Sequence, residues 1–140
     1  MLLKVILSFL NCHIYFPLPL LGCGVLGMSL LRSSKSIGEY ASDLLKALEY
    51  RGYDSTGAAI QNGKDVTLLK GVGAPSLLVD TLKIRKQEGR LFCGQVRWAT
   101  FGRVNYENSQ PHIVKCKRYI YGAHNGNITN MGELSAFFTS

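Results

Sequence analysis

Four short stretches of this chain combine reactive side chains in patterns that could do chemistry. Cys23 stands before Gly24. A cysteine is most often a small core residue, and it becomes a nucleophile only as an accessible thiolate with a base at hand. If the residues before it were removed, its own α-amine, with a reference pKa of about 7.7–8.0, would lie beside the sulfur and could take the thiol proton. Leu48-Glu49-Tyr50-Arg51-Gly52-Tyr53-Asp54-Ser55 crowds charge and aromatic rings around a glycine. It reads either as a helix end with a surface ion pair or as a rigid turn that supports a site from behind. Arg97-Trp98-Ala99-Thr100-Phe101-Gly102 follows an apolar run and contains the only tryptophan. An arginine at a strand end offers a planar fork for a carboxylate, and Thr100 adds a hydroxyl donor. The alternative is a structural arginine paired with an internal acid. Last comes His124-Asn125-Gly126-Asn127. Asn-Gly is commonly only a turn, but the Asn125 amide and the Gly126 backbone N–H are also the two donors an oxyanion hole needs.

Metal chemistry has little support. Cys12, Cys23, Cys93 and Cys116 form no Cys-x-x-Cys pair, and His13, His112 and His124 lack finger spacing. Neither a metal site nor a disulfide framework is expected, and the chain reads as a reduced, intracellular protein. Hydrophobic residues make up 46% and charged residues 18% of the 140, which excludes a disordered or low-complexity chain and suits one domain or a piece of one. The net charge of +7 raises a nucleic-acid reading through Lys83-Ile84-Arg85-Lys86 and Lys115-Cys116-Lys117-Arg118. Runs this short more often form a solvated face, so no nucleic-acid partner is expected.

The elements that must position these stretches can be read from pattern. Residues 1–22 are apolar with one charge, Lys4, and are interrupted by Asn11, His13, Pro17 and Pro19. That is a poor membrane span, which wants about 20 clean apolar residues, and a better leader. Leu20-Leu21-Gly22-Cys23 also resembles a lipoprotein cleavage box, which motivates an alternative of another class: a secreted or lipid-anchored binding module. After Cys23, Val25-Leu26 suggests a buried strand. Ser36 and Glu39 fit a capping box, and Ile37, Tyr40, Ala41, Leu44, Leu45 and Leu48 form one helical stripe, with Gly52 as its stop. Asn62-Gly63 between apolar runs signals a hairpin. A second helix is expected over 76–86, strands over 91–97 and 118–124, and a last helix over 131–138. Together these argue for an α+β fold.

In this order the four stretches resemble the glutaminase domain of the class II glutamine amidotransferases, a branch of the N-terminal-nucleophile hydrolases. The resemblance runs from Cys23 to about Leu134. Within the family, Leu48 to Ser55 and Arg97-Trp98-Ala99-Thr100 are most similar to the glutamine–fructose-6-phosphate aminotransferases. His124 to Asn130 is also like the amidophosphoribosyltransferases, the alternative within the family. The resemblance implies an αββα sandwich, incomplete here, with 23–140 as the N-terminal part of the domain and 1–22 as a leader, propeptide or mis-assigned start. It implies L-glutamine as substrate, Cys23 as nucleophile with its α-amine as base, and Asn125 and Gly126 as the oxyanion hole. Arg97, with Thr100 assisting, would bind the glutamine α-carboxylate, and Trp98 would close over the site. A sugar-phosphate acceptor would be served by a C-terminal domain, in a cytoplasmic protein that is homo-oligomeric when full length, with no metal, cofactor or membrane. At position 23 the nitrogen is an amide, which cannot act as base, and the family's acidic ligand for the glutamine ammonium falls beyond Ser140. The 140-residue chain alone is therefore expected to be inactive.

Overall fold

The computed structural model describes residues 4–5 and 22–139. The expected leader lies outside the described residues except for 4–5 and 22. The first strand, β1 (Lys4–Val5), pairs antiparallel with β2 (Gly24–Ser34). Helix α1 (Ser36–Ala47) follows, and a 3-10 turn over Glu49–Arg51 leads to the hairpin of β3 (Ser55–Asn62) and β4 (Asp65–Val72). Then come α2 (Pro75–Thr81), a 3-10 turn at Ile84–Lys86, and β5 (Gly89–Arg97). A long loop leads to β6 (His112–Lys115), β7 (Tyr119–Gly122) and α3 (Met131–Thr139). The larger sheet has the order β1-β2-β5-β3-β4 with every pair antiparallel, and β6 and β7 make a second sheet. The architecture is α+β, as expected.

The two-residue period of a strand sorts the larger sheet into two faces. Leu26 and Met28, Ala58 and Ile60, and Phe92 and Val96 point to one side and pack with Ile37, Ala41 and Leu45 of α1, Val79 of α2 and Ile84. The opposite face is small and polar: Gly57, Ala59, Cys93, Gln95 and Arg97. It is covered by the 98–111 loop and the second sheet. Lys70 Nζ donates to Ser109 O at 2.7 Å, Gln95 Nε2 to His124 O at 3.1 Å, and the Tyr121 hydroxyl to Gln61 Oε1 at 2.9 Å. Among the described residues, no helix is long and apolar enough to cross a membrane.

The helical stripe of α1 stands, with Ile37, Ala41 and Leu45 fully buried and Leu44 and Leu48 packed against the core, while Tyr40 points outward. The hairpin stands too, and Gly63 takes a φ of 62°, the left-handed value that primed hairpin turns require. The capping box does not form. Strand β2 runs on to Ser34, so Ser36 already lies inside the helix, and its amide donates instead to Ser34 Oγ at 3.1 Å. The expected 76–86 helix is split because Lys83 adopts φ 57°, and Ile84 beyond it is fully buried in the core. Strand β5 begins earlier than expected, at Gly89, β7 is shorter than expected, and β6 was not anticipated.

Truncating Leu45, which sits at the centre of the α1 contact with the sheet, removes contacts that the helix cannot replace. Leu45→Ala should lower unfolding stability by about 2–5 kcal/mol, read as a lower denaturant midpoint with an unchanged slope.

Candidate functional site

The site grows from the ends of two neighbouring strands. Gly24 of β2 pairs with Val96 of β5, so one further step of the same register sets Cys23 beside Arg97. The half-buried Cys23 thiol donates to the Trp98 carbonyl at 3.5 Å, and that oxygen also accepts the Thr100 amide at 3.1 Å. Cys23, Arg97, Trp98 and Thr100 therefore share one corner of the sheet.

The Glu49–Asp54 segment braces this corner from behind, residue by residue. Arg51 Nε donates to the carbonyl of Gly22, directly before the cysteine, at 3.1 Å. Gly52 has an extended φ of 174°, so the expected stop signal is not a left-handed turn. Its missing side chain matters for another reason. A Cβ there would lie 2.5 Å from the Arg97 oxygen and 2.6 Å from the Trp98 nitrogen. Tyr53 meets the Trp98 ring edge-on, with centroids 5.0 Å apart. The Asp54 amide donates to Arg97 O at 3.0 Å, and Asp54 Oδ2 accepts the Ala99 amide at 2.7 Å. Glu49 reaches the other way, its carboxylate accepting the Ser76 amide at 2.7 Å and the Ser76 hydroxyl at 3.0 Å. The segment is a support turn, and the surface ion pair of the other reading is not formed among the described residues.

Arg97 is only 7% exposed. The internal acid of the structural reading is not its partner. Its Nη2 donates to Phe101 O at 2.7 Å and its Nη1 to Arg103 O at 2.9 Å. The ion pairs among the described residues join Lys46 and Arg85 to Asp43 and Asp80. The guanidinium is thus held by neutral carbonyls, and among the described residues no carboxylate pairs with it. Two buried polar atoms on its face of the sheet also have no hydrogen-bond partner among the described residues: Ser55 Oγ, on the residue paired with Arg97, and Gln95 Oε1. Buried polar atoms are normally paired, so this corner has hydrogen-bonding capacity to offer a polar ligand.

Asn125 and Gly126 are exposed, and among the described residues no hydrogen bond joins them to Cys23. Their tether is His124, whose carbonyl accepts from Gln95 and whose amide donates to Gln110 Oε1 at 2.6 Å. Gln95 is paired with Val25, so the residue that holds the tether stands one same-face step, about 7 Å, along β5 from Arg97. The sequence reading missed Gln95 and Gln110 as anchors, although a lone Gln in the apolar run 91–96 was an available signal. Burial pushes the Cys93 thiol above the ordinary range, partly offset by a backbone hydrogen bond at Ala123, so it stays protonated. Among the described residues no three metal-ligating side chains gather.

No protein-family model matches the chain. It is similar to the glutamine–fructose-6-phosphate aminotransferase (isomerizing) of Sulfurisphaera tokodaii, 41% identical over 112 residues, which is 80% of this chain and 19% of that relative. The enzyme of the same name from Staphylococcus epidermidis is 39% identical over 118 residues, 84% of this chain and 19% of the relative. That of Neisseria meningitidis is 36% identical over 108 residues, 77% and 17%. The chain spans about a fifth of the length of the curated relatives it matches.

The bracing can be tested at Gly52. Gly52→Ala must displace the Arg97–Trp98 peptide and should cost about 1–3 kcal/mol, the range for overpacking. Because the chain has one tryptophan, its fluorescence should change with the substitution. Unaltered emission and stability would show that the turn does not support the corner.

Proposed function

We propose that this chain is the N-terminal part of a glutamine-hydrolysing amidotransferase domain, an αββα sandwich of the N-terminal-nucleophile type. Its ammonia would pass to a sugar-phosphate acceptor, fructose 6-phosphate by analogy with the relatives' name. The observation that carries the reading is the shared corner of Cys23, Arg97 and Trp98, two strand ends locked by Gly52 and Asp54. Similarity to relatives named for glutamine and an aminotransferase reaction points the same way.

In this mechanism the Cys23 sulfur attacks the side-chain carboxamide carbon of glutamine. The base is the Cys23 α-amine, freed once residues 1–22 are removed or never attached. It takes the thiol proton and returns it to the departing nitrogen, so ammonia leaves and a γ-glutamyl thioester remains. Water then cleaves the thioester to glutamate and regenerates the thiol. Arg97 exchanges its bonds to Phe101 and Arg103 for bonds to the glutamine α-carboxylate. The carboxylate brings the countercharge that the two carbonyls lack and can accept both bonds of the fork, which favours the exchange. Ser55 Oγ, Gln95 Oε1 and the Thr100 hydroxyl supply further polar contacts to the same ligand. The Trp98 loop closes over the thioester and excludes water from the ammonia. Asn125 and Gly126 move from their exposed position over the oxyanion, each donor worth about 2.7–4 kcal/mol in comparable chemistry.

No metal or cofactor has a role in this mechanism. The whole protein is read as cytoplasmic and homo-oligomeric, and the 140-residue chain with its leader as inactive by itself.

The test is labelling of the full-length protein, begun at Cys23, with an electrophilic diazo-ketone analogue of glutamine. A single adduct at Cys23, competed by L-glutamine, is expected. Arg97→Lys should raise the glutamine concentration needed for competition about tenfold or more, the loss of a bidentate charge-assisted contact. Asn125→Ala should leave that concentration unchanged and slow adduct formation about a hundredfold. Labelling at Cys93 or Cys116, or none at Cys23, would sink the reading.

A further inference from the structure

At the other end of the larger sheet the tips of two hairpins face each other across a cleft of about 570 Å³. One tip is the β3–β4 turn, which brings Gln61 and Lys64. The other is the β6–β7 turn, which brings Lys115, Lys117, Arg118 and Tyr119. The cleft lies about 20 Å from the Arg97 end of the sheet, because Gln61 stands six residues along β3 from Ser55, the partner of Arg97. It is therefore separate from the corner that holds Cys23.

The cleft is built as well as charged. Gln61 is fixed at both ends of its amide: Nε2 donates to Gly63 O at 2.9 Å, and Oε1 accepts the Tyr121 hydroxyl of the opposite sheet at 2.9 Å. The spacing of the two tips is thus set by a hydrogen bond between the sheets. The second turn is closed by the Cys116 amide and thiol, both donating to the Arg118 carbonyl at 3.1 Å. Lys115 lies over the Tyr119 ring, 5.6 Å from its centroid.

Four cations line this space, no acidic side chain does, and none of the four forms an ion pair among the described residues. Gathering like charges in one cleft is unfavourable until an anion enters. One carboxylate would leave three of the four charges unbalanced, whereas two linked phosphates come close to matching them. The Arg118 fork suits phosphate oxygens. The volume falls within the about 300–1,000 Å³ typical of small-molecule sites, and the Tyr119 ring offers an apolar wall. We infer that this cleft binds a small anion bearing linked phosphate groups, of nucleotide size or less, apart from the cysteine corner.

Isothermal titration of the whole chain at physiological salt, with pyrophosphate and with ADP as separate probes, tests this. Saturable 1:1 binding of at least one probe is expected. ADP binding more tightly than pyrophosphate would show that the cleft also holds the organic part, and equal affinity would show that the phosphates suffice; either supports the site. Lys64→Gln and Lys117→Gln, on opposite sheets, should each weaken binding about three- to fivefold, the scale of one exposed charge contact. Lys86→Gln removes the same charge outside the cleft and should change nothing. Absence of binding, or equal weakening by all three variants, would overturn the site. So would a single-stranded oligonucleotide binding more than tenfold tighter than ADP.

Discussion

The antiparallel pairing of β2 with β5 is the constraint on which the candidate site depends. The register Gly24–Val96, continued by one residue, is what puts a cysteine beside an arginine 74 positions later in the chain. Strand pairing alone leaves strand ends free to fray. Here the end is closed by the 49–54 turn, which approaches the Arg97–Trp98 peptide so closely that residue 52 has no room for a side chain. Asp54 then ties both peptides that flank Trp98, the first through its backbone amide and the second through its carboxylate. The result is a rigid corner with a reactive atom at its rim, built from three segments far apart in sequence.

The electrostatics of that corner follow from what surrounds Arg97. A buried guanidinium needs hydrogen bonds for its protons and a negative charge for its own. The loop carbonyls of Phe101 and Arg103 satisfy two donors and none of the charge. In the proposed mechanism an arriving carboxylate would displace these carbonyls, and ligand binding would then be linked to rearrangement of the Phe101–Arg103 segment through one side chain. The unpartnered Ser55 and Gln95 oxygens on the same face add to the demand for a polar ligand.

How much of this was legible depended on the range of the interaction. The stripe from Ile37 to Leu48 and the Asn62-Gly63 hairpin were readable because helix period and turn chemistry are local. The Ser36–Glu39 capping box failed because β2 extends to Ser34, a consequence of sheet pairing that no four-residue pattern contains. The split of the second helix at Lys83 serves the burial of Ile84 against α1, again a tertiary demand. The motif residues around Cys23, Arg97 and Gly52 were identifiable by type. Their mutual contacts, the carbonyl partners of Arg97 and the anchoring of His124 by Gln95 and Gln110 were not, since each joins segments separated in the chain or within an irregular loop.

The central claim is that the Cys23 sulfur is activated by the nitrogen of its own residue. Two chains identical from Cys23 onward, one beginning there and one retaining residues 1–22 with β1, carry at that position an amine and an amide respectively. The rate at which a glutamine-like electrophile modifies Cys23 should be at least about a hundredfold higher in the chain with the free amine. In that chain its fall with decreasing pH should follow protonation of the amine, through about 7.7–8.0. Equal rates with the same pH dependence in both chains would contradict the account.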